Sequence, residues 1–298
     1  KLKTPNMTKV LEYHFNPPFR RNSQVPVWLK KKNQNYYFDG LCFKPAGLRE
    51  KPLGLLCLLA EMADTDPEET AIISGLVKII QREYYRFFYP NPTDCFKWAL
   101  EQGNRFLSRQ IKNNNVNWLS KLNFAAFAIR PNLSINLAKI NDPAILLFTN
   151  GEIFDLAQSL TQESAPFKSF SNTIEGEVQN NDKILILSRK LFETFDEEEM
   201  FRWLLSAKSQ RAAKDVFKQK KDTLRHSFGV CLLVRAKGQS NPFRLMRRSS
   251  GSGQSTAKYT RLAGKMTSRR ARLFPGPLQT ILLLLILASL AFIVWRMF

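Results

Sequence analysis

At 298 residues, with 44% hydrophobic residues and 23 phenylalanines, the chain has material for one folded domain of about 200–250 residues plus an appendage. The net charge of +20 is unevenly placed: residues 235–298 carry 12 Lys or Arg and no Asp or Glu, leaving 33 basic against 25 acidic residues, or +8, for residues 1–234. Four scattered cysteines without C-x-x-C spacing, and only His14 and His226, exclude a disulfide framework and leave a zinc site with too few partners, so no metal is expected; buried free thiols are expected instead.

The first 15 residues lack the apolar core of a signal peptide, and with Lys1 in place of an initiating Met the expectation is a chain that is trimmed or part of something longer. The run Gly54–Leu59 predicts a buried strand. Asp66, Pro67, Glu68 and Glu69 then supply an N-cap, a first-turn proline and a capping-box acid. Ile72, Leu76, Ile79, Ile80 and Phe87 recur at helical spacing behind that cap, and a second helix from about Thr93 to Ile111 aligns Phe96, Leu100, Phe106 and Leu107; both stripes are read as core packing. Strands follow at Leu122–Ile129, Leu133–Lys139 and Ala144–Thr149, the last ahead of Asn150-Gly151, a strong tight-turn pair. Ile174–Val178 and Lys183–Leu187 supply two more strands, Asp196–Leu205 a helix with an acidic first turn, Ala212–Lys220 another helix, and Phe228–Val234 a closing buried strand. This order suits two sheets flanked by helices.

Residues 235–274 are rich in Ser, Gly, Arg and Lys and read as a basic linker. Residues 275–298 read as a transmembrane segment: Leu278 to Trp295, LQTILLLLILASLAFIVW, has no charged residue and at ~1.5 Å per residue nearly crosses the roughly 30 Å hydrocarbon layer. Arg269, Arg270 and Arg272 precede it and only Arg296 follows, so the positive-inside rule puts the N-terminal domain in the cytoplasm, with the linker against the anionic inner leaflet. A single-pass membrane protein is expected, with lipid rather than nucleic acid as the partner of the basic tail.

Four blocks, in order, are similar to motifs of the PPM-type, metal-dependent protein Ser/Thr phosphatases, also called the protein phosphatase 2C family. KNQNYYF at Lys32–Phe38 resembles the early Asn-Gln-Asp motif, with Asn35 at the carboxylate. GLLCLLAEMA at Gly54–Ala63 resembles the strand ending in Asp-Gly, with Glu61 at the Asp and Met62 at the Gly. Asn123–Leu156 resembles the central hairpin with its Gly-Asp-Ser turn, where Asn141, Asp142 and Pro143 stand. DKILILSRKL at Asp182–Leu191 resembles the block ending in Ser-Asp-Gly-Leu, with Arg189 and Lys190 at the Asp and Gly; in the closing Asp-Asn-x-Thr motif His226, Ser227 and Gly229 stand at the Asp, Asn and Thr.

The resemblance implies an α+β fold, the four-layer α-β-β-α sandwich of the PPM phosphatases, over residues 1–234. The family brings carboxylates from several strand ends around two hard divalent ions. The matched positions here read Asn35, Glu61, Arg189 and His226, one carboxylate in four. Cations repel a metal ion, and Glu61 is expected to pair with Arg189. The expectation is therefore a pseudophosphatase without cofactor, acting as a membrane-anchored binding or regulatory module, in which Arg189, Lys190 and His226 bind a phosphorylated or acidic protein partner; an electronegative cleft would sink that anion site. Two alternatives stand beside it: a divergent active phosphatase using Mg²⁺ or Mn²⁺, with Asp39, Asp64 or Asp66 as substitute acids if these are more than turn and cap residues, and a membrane-surface structural protein with only a pattern resemblance. No P-loop, G-x-S-x-G or H-E-x-x-H motif is present.

Overall fold

The computed structural model describes residues 8–15, 36–86, 90–113, 116–158, 160, 169–222, 224, 227–238 and 260–261. Asn35, His226, the transmembrane segment Leu278 to Trp295 and almost all of the linker lie outside the described residues. Among the described residues, no helix is long and apolar enough to cross a membrane.

Among the described residues up to 238, ten strands form two antiparallel sheets. In chain order they are β1 Lys9–Phe15, β2 Tyr37–Phe43, β3 Leu55–Met62, β4 Leu122–Ile129, β5 Ser134–Ile140, β6 Ala144–Thr149, β7 Glu152–Asp155, β8 Ile174–Glu177, β9 Lys183–Leu187 and β10 Gly229–Arg235. One sheet has the order β1-β10-β9-β6-β7 and the other β2-β3-β4-β5-β8. Five helices accompany them: α1 Pro67–Tyr85, α2 Pro92–Lys112, α3 Arg189–Glu197, α4 Met200–Ser206 and α5 Gln210–Gln219.

Strand β3 shows how sequence sets the layers. It sits between β2 and β4 and is buried along its whole length, which is why it reads as a continuous apolar run rather than an alternating one. Leu56, Leu58, Ala60 and Met62 pack with Ile73, Leu76, Ile80, Tyr84, Phe96 and Leu100 of α1 and α2. Leu55, Cys57 and Leu59 face the other way, into a second core with Ile184, Ile186, Val230 and Leu232 of the facing sheet. The period-2 alternation of a strand thus assigns one residue set to the helix layer and the other to the space between the sheets. On the far side, rings of Phe15, Phe195 and Phe217 meet at 5.7–6.1 Å and seat α3 and α5 on β1. The layers therefore run helix, sheet, sheet, helix.

The caps act as the residues dictate. Asp66 accepts the Glu69 N–H at 2.7 Å, and the Glu69 carboxylate accepts the Asp66 N–H at 3.2 Å, a complete capping box for α1. Asn150 and Gly151, with φ of 50° and 78°, turn β6 into β7, the positive-φ pair that a tight hairpin needs. The expected helix over Asp196–Leu205 is instead two helices: the acidic run closes α3, and Glu199, with φ of 56°, breaks the path before α4. Burial of Phe195, Met200 and Phe201 on one aromatic cluster outweighs the first-turn preference of the acids. The domain also runs slightly past residue 234, since Ala236 is buried and donates its N–H to the Asp182 carbonyl at 2.9 Å.

Candidate functional site

The strand end that carries Glu61 meets the start of α3 at one end of the sandwich. Alternation puts Glu61 on the same face as Cys57 and Leu59, toward the space between the sheets, while Met62 turns into the helix-side core and is fully buried. Across the ladder Glu61 stands between Phe38 and Asn123. Only 2% of Glu61 is exposed. Its Oε2 accepts the backbone N–H of Arg189 at 3.2 Å, at the first turn of α3, where the helix dipole favours negative charge. Burial outweighs that bond and the nearby Lys190 ammonium, and the Glu61 carboxyl is pushed up to about 7.

The expected ion pair of Glu61 with Arg189 is not what forms: Glu61 takes only the Arg189 backbone N–H. The Arg189 guanidinium reaches Glu193 at 3.4 Å, one helical turn on. Lys190 lies over the ring of Tyr36, its Nζ 4.4 Å from the centroid, a cation–π contact. Both basic side chains are exposed at the mouth. Ser227 is 9% exposed, and its N–H donates to the Leu224 carbonyl at 3.1 Å.

Ser188, which sequence reasoning did not weigh as a site residue, packs against Gly229, the residue matched to the Thr of the closing motif. Ser188 is fully buried between β9 and α3, donates its N–H to Val230 at 3.2 Å, and its hydroxyl has no partner among the described residues. Gly229 has φ of 139°, and a Cβ there would stand 2.2 Å from Ser188 Oγ and 2.9 Å from Leu191 Cγ. Any side chain at 229, a threonine included, collides with Ser188. The turn Asn141-Asp142-Pro143 closes the same end: the Asn141 amide donates to the Leu122 carbonyl at 2.7 Å, and Asp142 donates its N–H to Asn123 at 3.3 Å. Asp64 sits in a turn with φ of 49°, Asp66 is a helix cap, and Asp39 lies in β2 rather than in a turn.

Two divalent metals bridged by a water need several converging oxygen ligands. What acts on the Glu61 carboxylate is burial, the Arg189 backbone N–H and the nearby Lys190 ammonium. Among the described residues, the one group of three or more His, Cys, Asp or Glu side chains close enough to share an ion is Glu12, His14 and Asp39, which does not include Glu61. The residues described at this mouth do not fit a two-metal centre. A cavity of about 460 Å³ opens elsewhere, between β1 and the end of α5, lined by Tyr13, Phe15, Phe217 and Lys221 among others, and it touches none of the expected site residues.

No family profile and no curated protein sequence matches the chain. Solved structures do. PppA of Pseudomonas aeruginosa, described as a key regulatory component of T6SS, superposes with a TM-score of 0.52 at 14% identity over 78% of this chain and 99% of its own. The RsbU and RsbW domains of Rv1364c from Mycobacterium tuberculosis give 0.53 at 14% identity over 82% and 68%.

The fold is that of the PPM-type Ser/Thr phosphatases.

A bacterial serine phosphatase variant agrees, with a TM-score of 0.53 at 9% identity over 77% of this chain and 99% of its own. Among other PPM-type structures, the catalytic domain of PstP is in complex with 2 manganese ions, at a TM-score of 0.47, 13% identity and coverage of 68% and 98%. The PPM-type fold expected from the four sequence blocks is therefore present.

Proposed function

We propose that the chain is a PPM-fold pseudophosphatase, a binding or regulatory module without metal-dependent phosphatase activity, held at the membrane by the apolar segment Leu278 to Trp295. The observation that carries this reading is the environment of Glu61: it is the single carboxylate kept among the four matched positions, its Oε2 accepts the Arg189 N–H, and a lysine lies beside it. A positively charged neighbourhood disfavours divalent cations and favours anions. Arg189 and Lys190, exposed at the mouth beside Tyr36, suit a phosphorylated or acidic protein segment, to which His226 would add a third donor. A regulatory role accords with the likeness to PppA, itself described as a regulatory component.

The alternative is a divergent phosphatase using Mn²⁺ or Mg²⁺, favoured by the survival of a carboxylate at Glu61. Hydrolysis of a phosphopeptide in the presence of added Mn²⁺ separates the two. The pseudophosphatase reading expects no turnover above a metal-free control; turnover that disappears in Glu61→Ala establishes the enzyme.

A further inference from the structure

The N-terminal strand holds chemistry that the Glu61 mouth does not use. Glu12 and His14 lie two residues apart on β1, on one face, opposite Leu232 and Val230 of β10. Since Leu232 and Val230 point into the space between the sheets, Glu12 and His14 lean toward the other sheet. The edge strand of that sheet is β2, which carries Asp39. The ligand atoms of all three side chains lie within 4.8 Å of one another. His14 Nε2 and Glu12 Oε1 are 2.7 Å apart.

We propose that Glu12, His14 and Asp39 form a binding site for a zinc-type divalent cation that ties the edge of one sheet to the edge of the other. An imidazole nitrogen with two carboxylate oxygens is a donor set that Zn²⁺ accepts and that the all-oxygen preferences of Mg²⁺ and Ca²⁺ do not match. With zinc–ligand bonds of about 2.0–2.2 Å, tetrahedral donors stand roughly 3.4 Å apart. The His14–Glu12 pair would open by less than ~1 Å from its hydrogen-bonded distance and the wider contacts close by about 1.4 Å at most, movements that side-chain torsions supply. Asp39 is already oriented: its Oδ1 accepts the Gly40 N–H at 2.9 Å, and the Tyr37 side chain hydrogen-bonds to it. Such outer partners fix a ligand carboxylate before the metal arrives. The side chains of Glu12 and His14 are 42% and 28% exposed, so the ion has a path in and its fourth position faces water. Counting only Cys and His leaves zinc short of ligands in the sequence; the structure supplies the missing ones as carboxylates on two strands that are not neighbours in either sheet.

The bland rival is an edge ion pair, His14 with Glu12, that happens to sit near Asp39. Calorimetric titration of the full chain, stripped with a chelator and held in mild detergent, with zinc chloride distinguishes them. The expected result is one saturable site whose affinity falls at least roughly tenfold in His14→Ala and in Asp39→Asn and is unchanged in Glu61→Gln. Glu12→Gln, on an exposed side chain that folding does not need, should weaken zinc in the same way, and cobalt(II) should give a tetrahedral visible spectrum that these variants lose. No zinc binding by the wild-type chain, or binding indifferent to His14→Ala, Asp39→Asn and Glu12→Gln together, overturns the proposal. Because Glu61→Gln serves as the control, loss of zinc binding there would instead count against the reading of the Glu61 mouth.

Discussion

Replacing Glu61 by Gln should make the protein more stable above neutral pH and leave it unchanged in mild acid. The side chain is 2% exposed, and its carboxyl titrates at about 7 instead of 4.5, chiefly because burial penalises the charge. The folded chain therefore holds a proton that the unfolded chain releases. The resulting stabilisation is complete below about pH 4.5, declines as pH rises toward 7, and is gone above it, where a buried carboxylate must stay ionised. At about 1.4 kcal/mol per pKa unit, the shift corresponds to roughly 3 kcal/mol. Gln keeps an oxygen to accept the Arg189 N–H, bonded at 3.2 Å in the native chain, and cannot ionise. Urea unfolding of both proteins in chelator, at pH 5 and pH 8, reads the difference directly. The stability gap should open by about 2.5 kcal/mol in favour of Gln between the two pH values, since pH 5 already lies slightly above the ordinary Glu value of 4.5. A gap that stays constant, or that favours Glu at pH 8, would refute the burial argument and point to an uncounted positive partner for Glu61.

Two other outcomes follow from particular positions. Gly229→Ala combines a φ of 139° with a Cβ placed 2.2 Å from Ser188 Oγ, so it should cost about 3 kcal/mol or more of unfolding free energy, whereas Gly151→Ala, with φ of 78° but open space around it, should cost only about 1 kcal/mol; equal effects in denaturant titrations would show that the Ser188 contact is unimportant. If residues 278–295 span a membrane, the full chain should resist carbonate extraction from membranes, and a chain ending at residue 274 should be released; retention of the truncated chain would assign the anchoring elsewhere.

The outline of the fold was legible because the central strands are buried on both faces. The ranges expected for Leu122–Ile129, Ala144–Thr149 and Lys183–Leu187 are those observed, and the Asp66 capping box stands where its residues place it. Strands β1 and β2 were not separable from coil by pattern: KVLEYHF and YFDGLCF mix charge and glycine with apolar residues, since each is an edge strand with half of its ladder unpaired. The acidic run Asp196–Glu199 was misleading because acids at a helix start and acids at a helix end look alike until the left-handed Glu199 is seen.

At the site, the sequence singled out Glu61, Arg189 and Lys190 but did not tell how each of them is satisfied. That Glu61 would take a backbone N–H, leaving the Arg189 guanidinium to Glu193 and Lys190 to Tyr36, depends on where α3 starts, and no local pattern marks its first residue. The Glu12, His14 and Asp39 group was hidden for a related reason. Its members are close only because two sheet edges meet, a long-range fact that spacing along one strand does not encode.

The central claim, that the PPM-type fold has here lost its metal centre, is tested most directly by titrating the full chain with Mn²⁺, comparing wild type with Glu61→Gln in the Glu12→Gln background that removes the edge site. The account predicts no saturable binding at millimolar metal that depends on Glu61. Stoichiometric Mn²⁺ binding that Glu61→Gln abolishes would contradict it.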